Sequence, residues 1–134
     1  MTRTIFFGMK PSEEHRKIYE VVKNANLNAI AKVKDGVKFS EIDASARDFI
    51  TQEGFGEYFT HRTGHSIGLE DHDKGDVSSI NHAEVKEGMI FSIEPGIYIP
   101  GNIGVRIEDL VLVTKDGCES VSYTHLTLPT NREV

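Results

Sequence analysis

Residues 89–113 read MIFSIEPGIYIPGNIGVRIEDLVLV. Two apolar runs of strand length, Met89 to Ile93 and Leu110 to Val113, enclose a middle in which Pro100, Gly101, Asn102 and Gly104 are turn formers. The spacing predicts a hairpin whose arms are Ile97 to Ile99 and Val105 to Ile107. A turn centred near Gly101 or Asn102 sets Glu94 opposite, or nearly opposite, Glu108, and an odd loop count puts both on one face. Alternation over Val105 to Val113 places Val105, Ile107, Val111 and Val113 on one side and Leu110 and Leu112 on the other, the pattern of a central strand covered on both faces.

Such a hairpin carries an electrostatic problem. Glu94 and Glu108 lie among apolar neighbours, and burying a carboxylate alone is very costly. At a cross-strand spacing of about 5 Å the two repel unless they share a proton or a cation neutralises them. Hard divalent cations prefer oxygen donors of this kind, so a metal is the simplest neutraliser. Arg106, two residues before Glu108 and on the same side, offers a second solution: a structural arginine–glutamate pair with no catalytic purpose.

Upstream, His61-Arg62-Thr63-Gly64-His65-Ser66-Ile67-Gly68 is followed by His72. These three histidines cluster in a glycine-punctuated segment, where the backbone can approach a bound group closely and a neutral imidazole can serve as ligand or proton carrier. His15, His82 and His125 lack such company and read as ordinary surface or core residues.

Further out, Thr2 to Phe7 mixes β-branched and aromatic residues and is expected to form a strand ended by Gly8 and Pro11. Ser12 with Glu13 and Glu14 starts a helix in which Ile18, Val22, Ala25, Ala29 and Val33 recur at helical spacing, running to Lys34 with Gly36 ending it. Ser40 and Asp43 form a capping-box-like pair that opens a second helix, ended by Gly54. From Phe55 the helical period gives way to strand-length runs. Strand, two helices, then several strands describe an α+β fold with both helices on one face of a curved antiparallel sheet. The residues from Tyr123 show no core-facing period and read as a tail, leaving 1–122 as one domain.

The net charge of −6, from 15 basic against 21 acidic residues with no basic stripe, argues against a nucleic-acid partner. No long apolar span suggests a membrane, and the single Cys118 permits no internal disulfide, so a reducing cytoplasmic location is expected.

His61-x-x-Gly64-His65-x-Ile67-Gly68, Glu94-Pro95-Gly96-Ile97-Tyr98 and Gly104-Val105-Arg106-Ile107-Glu108-Asp109, in that order, strongly resemble the pita-bread metallopeptidases, above all the Xaa-Pro aminopeptidases and Xaa-Pro dipeptidases. The likeness runs from Thr2 to about Ser122 and fails in the tail at 123–134. It implies a partial pita-bread catalytic domain that hydrolyses the bond preceding proline near a free amino terminus, using water held by two divalent ions, manganese, cobalt or zinc. In the family the ions are held by Asp, Asp, His, Glu and Glu; the likeness makes His65, Glu94 and Glu108 the last three. It casts His61 and His72 as substrate-contacting and proton-handling residues and Arg106 as one that sets substrate geometry; on this reading Glu94 or Glu108 is the candidate proton shuttle.

The family's two aspartates precede the segment matching Thr2 to Phe7, so the sequence is expected to start just after them and the chain alone to be inactive. Asp35, Asp43 and Asp48 are not assignable as substitutes. The unpaired edge expected at Thr2 to Phe7 predicts a homo-oligomer. The expected partner is a peptide with proline in second position. The rival expectation is a pita-bread domain kept as a non-catalytic binding module.

Overall fold

A computed structural model describes residues 1–69 and 74–122. His72 and the tail at 123–134 therefore lie outside the described residues.

The first helix, α1 (Glu13–Lys32), begins where Ser12 accepts a hydrogen bond from the His15 amide at 3.1 Å, with Glu13 and Glu14 beside the positive end of the helix dipole. It stops two residues short of the expected Lys34, and Gly36 takes the positive φ that the turn requires, +88°. The second, α2 (Phe39–Gln52), starts one residue before the expected Ser40. The pairing of Ser40 with Asp43 does not form. The Ser40 amide is committed to the Asn81 carbonyl at 2.8 Å, and the Glu41 carboxylate instead accepts from the Lys38 amide at 2.9 Å. Asp43 turns inward and is buried.

Seven short strands follow among the described residues: β1 (Gly64–His65), β2 (Asp76–Val77), β3 (Ile90–Ile93), β4 (Gly96–Ile99), β5 (Ile103–Arg106), β6 (Asp109–Val113) and β7 (Cys118–Ser120). All pairings are antiparallel: β1 with β2, β4 with β5, and β6 between β3 and β7. The expected strand over Val105 to Val113 is thus divided at Ile107 and Glu108, although its lower half is central as expected. The two ladders share one register. Gly96 faces Arg106 in the tip and Ile93 faces Asp109 in the base, every pair being symmetric about Gly101.

The expected strand at Thr2 to Phe7 is not formed. Thr2 makes an isolated bridge to Glu108, and beyond it the Thr4 hydroxyl, rather than its backbone, meets the Arg106 amide and carbonyl at 3.1 and 2.9 Å. A side chain in the ladder position displaces the main chain, and Ile5, Phe6, Phe7 and Met9 are left exposed.

The helices pack on one side of the strands. Ile18 and Val22 of α1 and Ile42 and Ile50 of α2 are fully buried with Phe91 and Ile97. Phe91 meets Phe39 edge-on at 5.3 Å, and burial of such a side chain is worth about 1.5–3 kcal/mol. The axis of α1 runs along β5, since His15 bonds Asn102 in the turn at 2.7 Å while Asn26 bonds the Ile107 carbonyl. Eleven residues at ~1.5 Å and five at ~3.3 Å cover the same distance.

Candidate metal centre

Where the hairpin ladder divides, Glu94 and Glu108 stand opposite one another in the shared register. Their amides point away from each other. Glu94 N–H donates to the Thr63 carbonyl at 2.6 Å and Glu108 N–H to the Thr2 carbonyl at 3.0 Å. They are consequently a non-hydrogen-bonded pair, the kind whose side chains approach most closely. His65 is brought alongside by β1, whose amide donates to the buried Ser92 hydroxyl at 3.0 Å. This approach depends on Gly64, because a Cβ there would lie 1.8 Å from the Ser92 carbonyl oxygen.

One ligand atom from each of His65, Glu94 and Glu108 falls within 4.8 Å of the other two. His65 Nδ1 faces the Ser66 carbonyl at 3.2 Å, which assigns the proton to Nδ1 and presents Nε2 to the Glu94 carboxylate at 3.4 Å. Imidazole nitrogen and two carboxylates, converging on a cavity of about 370 Å³ that Arg106 and Leu110 also line, form a donor set suited to a divalent cation.

Burial pushes the Glu108 carboxyl upward, but the Thr2 hydroxyl at 2.6 Å, the amino terminus at 3.5 Å and a hydrogen bond with Glu94 together hold it below the usual glutamate range. Arg106 does not neutralise the pair. Its guanidinium reaches the Thr2 hydroxyl at 3.5 Å and the vicinity of Tyr98, while Glu94 faces the His65 imidazole and Glu108 the amino terminus. The structural arginine–glutamate pair left open by the sequence is therefore absent among the described residues.

His61 stands at one remove. Its Nε2 is 2.8 Å from the Tyr98 hydroxyl and its Nδ1 2.7 Å from the Arg62 carbonyl. Burial raises the Tyr98 hydroxyl above its ordinary value and Glu94 adds to this, against the opposing charge and hydrogen bond of Arg106. Tyr98 thus joins His61 to Arg106, a role that only its place two residues after Gly96 on a period-2 strand could have suggested.

Three further residues escaped the sequence reading. Asp43, its side chain 1% exposed, accepts both guanidinium bonds of Arg47 at 2.8 and 3.0 Å and the Thr63 hydroxyl at 2.7 Å. Arg47 also donates to the His61 carbonyl at 2.8 Å, so α2 anchors the histidine segment. Arg3 pairs with Asp109 at 2.7 Å and donates to the Glu108 carbonyl at 2.8 Å.

This helix-backed hairpin, with a histidine and two glutamates at its break, is the architecture of a metallopeptidase catalytic domain. Residues 1–115 match metallopeptidase family M24, and the chain belongs to that family. It is 52% identical over 122 residues to an uncharacterized peptidase of Staphylococcus saprophyticus, which covers 91% of the chain and 35% of that protein. Among solved structures, the prolidase of Pyrococcus furiosus superposes with a TM-score of 0.89 at 45% identity, covering 92% of this chain and 36% of that one. The Xaa-Pro dipeptidase of Bacillus anthracis superposes with a TM-score of 0.90 at 44% identity, covering 94% and 35%. The fold is accordingly part of the pita-bread domain, and the chain spans about a third of the length of these relatives. No helix among the described residues is long and apolar enough to cross a membrane.

Proposed function

We propose that the chain carries part of the active site of an Xaa-Pro aminopeptidase or dipeptidase, in which His65, Glu94 and Glu108 are ligands of a pair of divalent ions. The convergence of those three donors within 4.8 Å supports this reading most directly. Once bound, such ions lower the pKa of water, polarise the scissile carbonyl and stabilise the charge that develops on its oxygen.

The chain's own residues supply the rest. Thr63 and Thr2 hold the two glutamates by their amides, so the carboxylates need not reorganise to accept a cation. Glu94, beside His65 Nε2, is placed to pass a proton between the attacking water and the leaving imino nitrogen. His61 and Arg106, coupled through Tyr98, line the approach for a peptide with proline in second position, and His72 is proposed as a second substrate contact. Manganese, cobalt and zinc all suit a donor set of one nitrogen and several carboxylates.

Three donors among the described residues underfill two metal positions. The chain by itself is therefore proposed to bind metal weakly and hydrolyse little, full activity requiring further oxygen donors. The exposed run Ile5, Phe6, Phe7 and Met9 favours self-association.

Manganese titration of the purified chain, monitored by the spin-resonance signal of the free ion, tests the reading. Binding should occur, and Glu108→Ala and Glu94→Ala should each weaken it by about 10-fold or more. Binding unaltered in both variants would remove the centre from the proposal. A proline-containing dipeptide with excess manganese tests the second half, and turnover near that of a complete relative would refute the need for further donors.

A further inference from the structure

Asn26 lies in the interior of α1 and is fully buried, where a core-facing helix position ordinarily presents an apolar side chain. Its Nδ2 amide donates to two carbonyls, Ile93 at 3.2 Å and Ile107 at 3.4 Å. Those residues immediately precede Glu94 and Glu108.

Pro95 explains why the strands need a donor from outside. Ile107 N–H donates to the Pro95 carbonyl at 3.3 Å, so residues 95 and 107 form a hydrogen-bonded pair, whose return bond would run from the amide of residue 95 to the Ile107 carbonyl. Proline has no such amide. The Ile107 carbonyl is thereby orphaned inside the protein, where an unpaired polar group is costly, and Asn26 supplies the missing proton. The arrangement has its own cost: Asn26 Oδ1 is buried with no hydrogen-bond partner. A residue selected for packing or helix propensity alone would be leucine or alanine, with no oxygen to bury.

We propose that Asn26 is a positioning residue of the candidate metal centre: in place of the Pro95 amide it clamps both strands at the carbonyls before Glu94 and Glu108, and so fixes the separation of the two carboxylates. This rests on the metal reading given above. The clamp itself exists without metal, and each half can be measured.

The experiment uses the whole chain with Asn26→Leu and the double variant Asn26→Leu/Pro95→Ala, which returns an N–H to position 95. In metal-free protein, Asn26→Leu should accelerate hydrogen exchange at the Ile107 amide by about 10-fold, while amides in the first half of α1 exchange as before. The manganese dissociation constant should rise about 10-fold. Both quantities should move back toward the unsubstituted chain in the double variant. If Asn26→Leu does not fold cooperatively, Asn26→Ser, which cannot reach both carbonyls, is read in the same way. Faster exchange with unchanged manganese affinity would overturn the positioning role, as would a double variant that restores neither quantity. Failure of the unsubstituted chain to bind manganese would count against the metal reading, with the exchange measurement still deciding whether Asn26 clamps the strands.

Discussion

Glu94 and Glu108 are gripped from opposite sides by unlike neighbours. On the Glu94 side, the Thr63 carbonyl belongs to a segment tied by buried Asp43 and by Arg47 to α2, with Arg47 also lying 4.2 Å over the Phe59 ring. On the Glu108 side, Thr2 makes the backbone contacts, Arg3 pairs with Asp109 and donates to the Glu108 carbonyl, and the chain then runs into exposed apolar residues. One carboxylate is thus fixed by the core and the other by the surface. Local stability follows the number of buried partners, so the two halves of the site should open with different free energies.

The largest effect expected from breaking this asymmetry is at Asp43. Replacing it by alanine removes the carboxylate that the Arg47 guanidinium and the Thr63 hydroxyl share, a loss of about 3 kcal/mol or more, which should lower the melting temperature by roughly 10 °C or more. A melting curve within a few degrees of the parent would mean that the core side is no better fixed than the edge. Gly64→Ala comes next. Its Cβ would collide with the Ser92 carbonyl and push β1 from β3, costing about 3 kcal/mol, and chemical denaturation should register it.

Much of the Glu94 side was illegible for a physical reason. Asp43 and Arg47 are four residues apart on a helix, a spacing that sequence alone cannot distinguish from an exposed surface pair of small value. Their burial depends on the fold of residues 55–65, whose irregular path has no period to read. Asn26 is similarly silent, because one polar residue in a helix looks like part of the solvated face. The hairpin and its glutamates were legible because a two-residue period and a glycine-rich turn fix the register without reference to anything distant. The Thr2 to Phe7 strand failed for the converse reason: residue types reveal a taste for strands and not whether backbone or side chain, here the Thr4 hydroxyl, will take the ladder position beside Arg106.

The edge side should respond more gently. Thr2→Val removes the hydroxyl donated to Glu108 and should cost about 1 kcal/mol near neutral pH. Its pH signature sharpens the comparison. Glu108 has a folded pKa held below 4.5, so its stabilising contribution is present above that value and lost as pH falls through the folded pKa. Thr2→Val should move the carboxyl back upward and flatten stability between about pH 5 and 3. Urea denaturation at both ends of that range measures the difference, and equal slopes in parent and variant would contradict the assignment of Thr2. The smallest effect is expected from Phe7→Ser. Phe7 is 95% exposed, so stability should change by less than about 0.5 kcal/mol, while sedimentation should reveal weaker self-association.

The common register of the hairpin's tip and base bears on how the site is born. Apolar pairs such as Ile97 with Val105 on one side and Phe91 with Val111 on the other align the strands independently, and both alignments deliver Glu94 to Glu108. The register does not rely on the carboxylates to find each other. On the metal reading proposed above, the polypeptide would complete its topology without the ion, unlike small zinc domains that remain unfolded until their cation arrives.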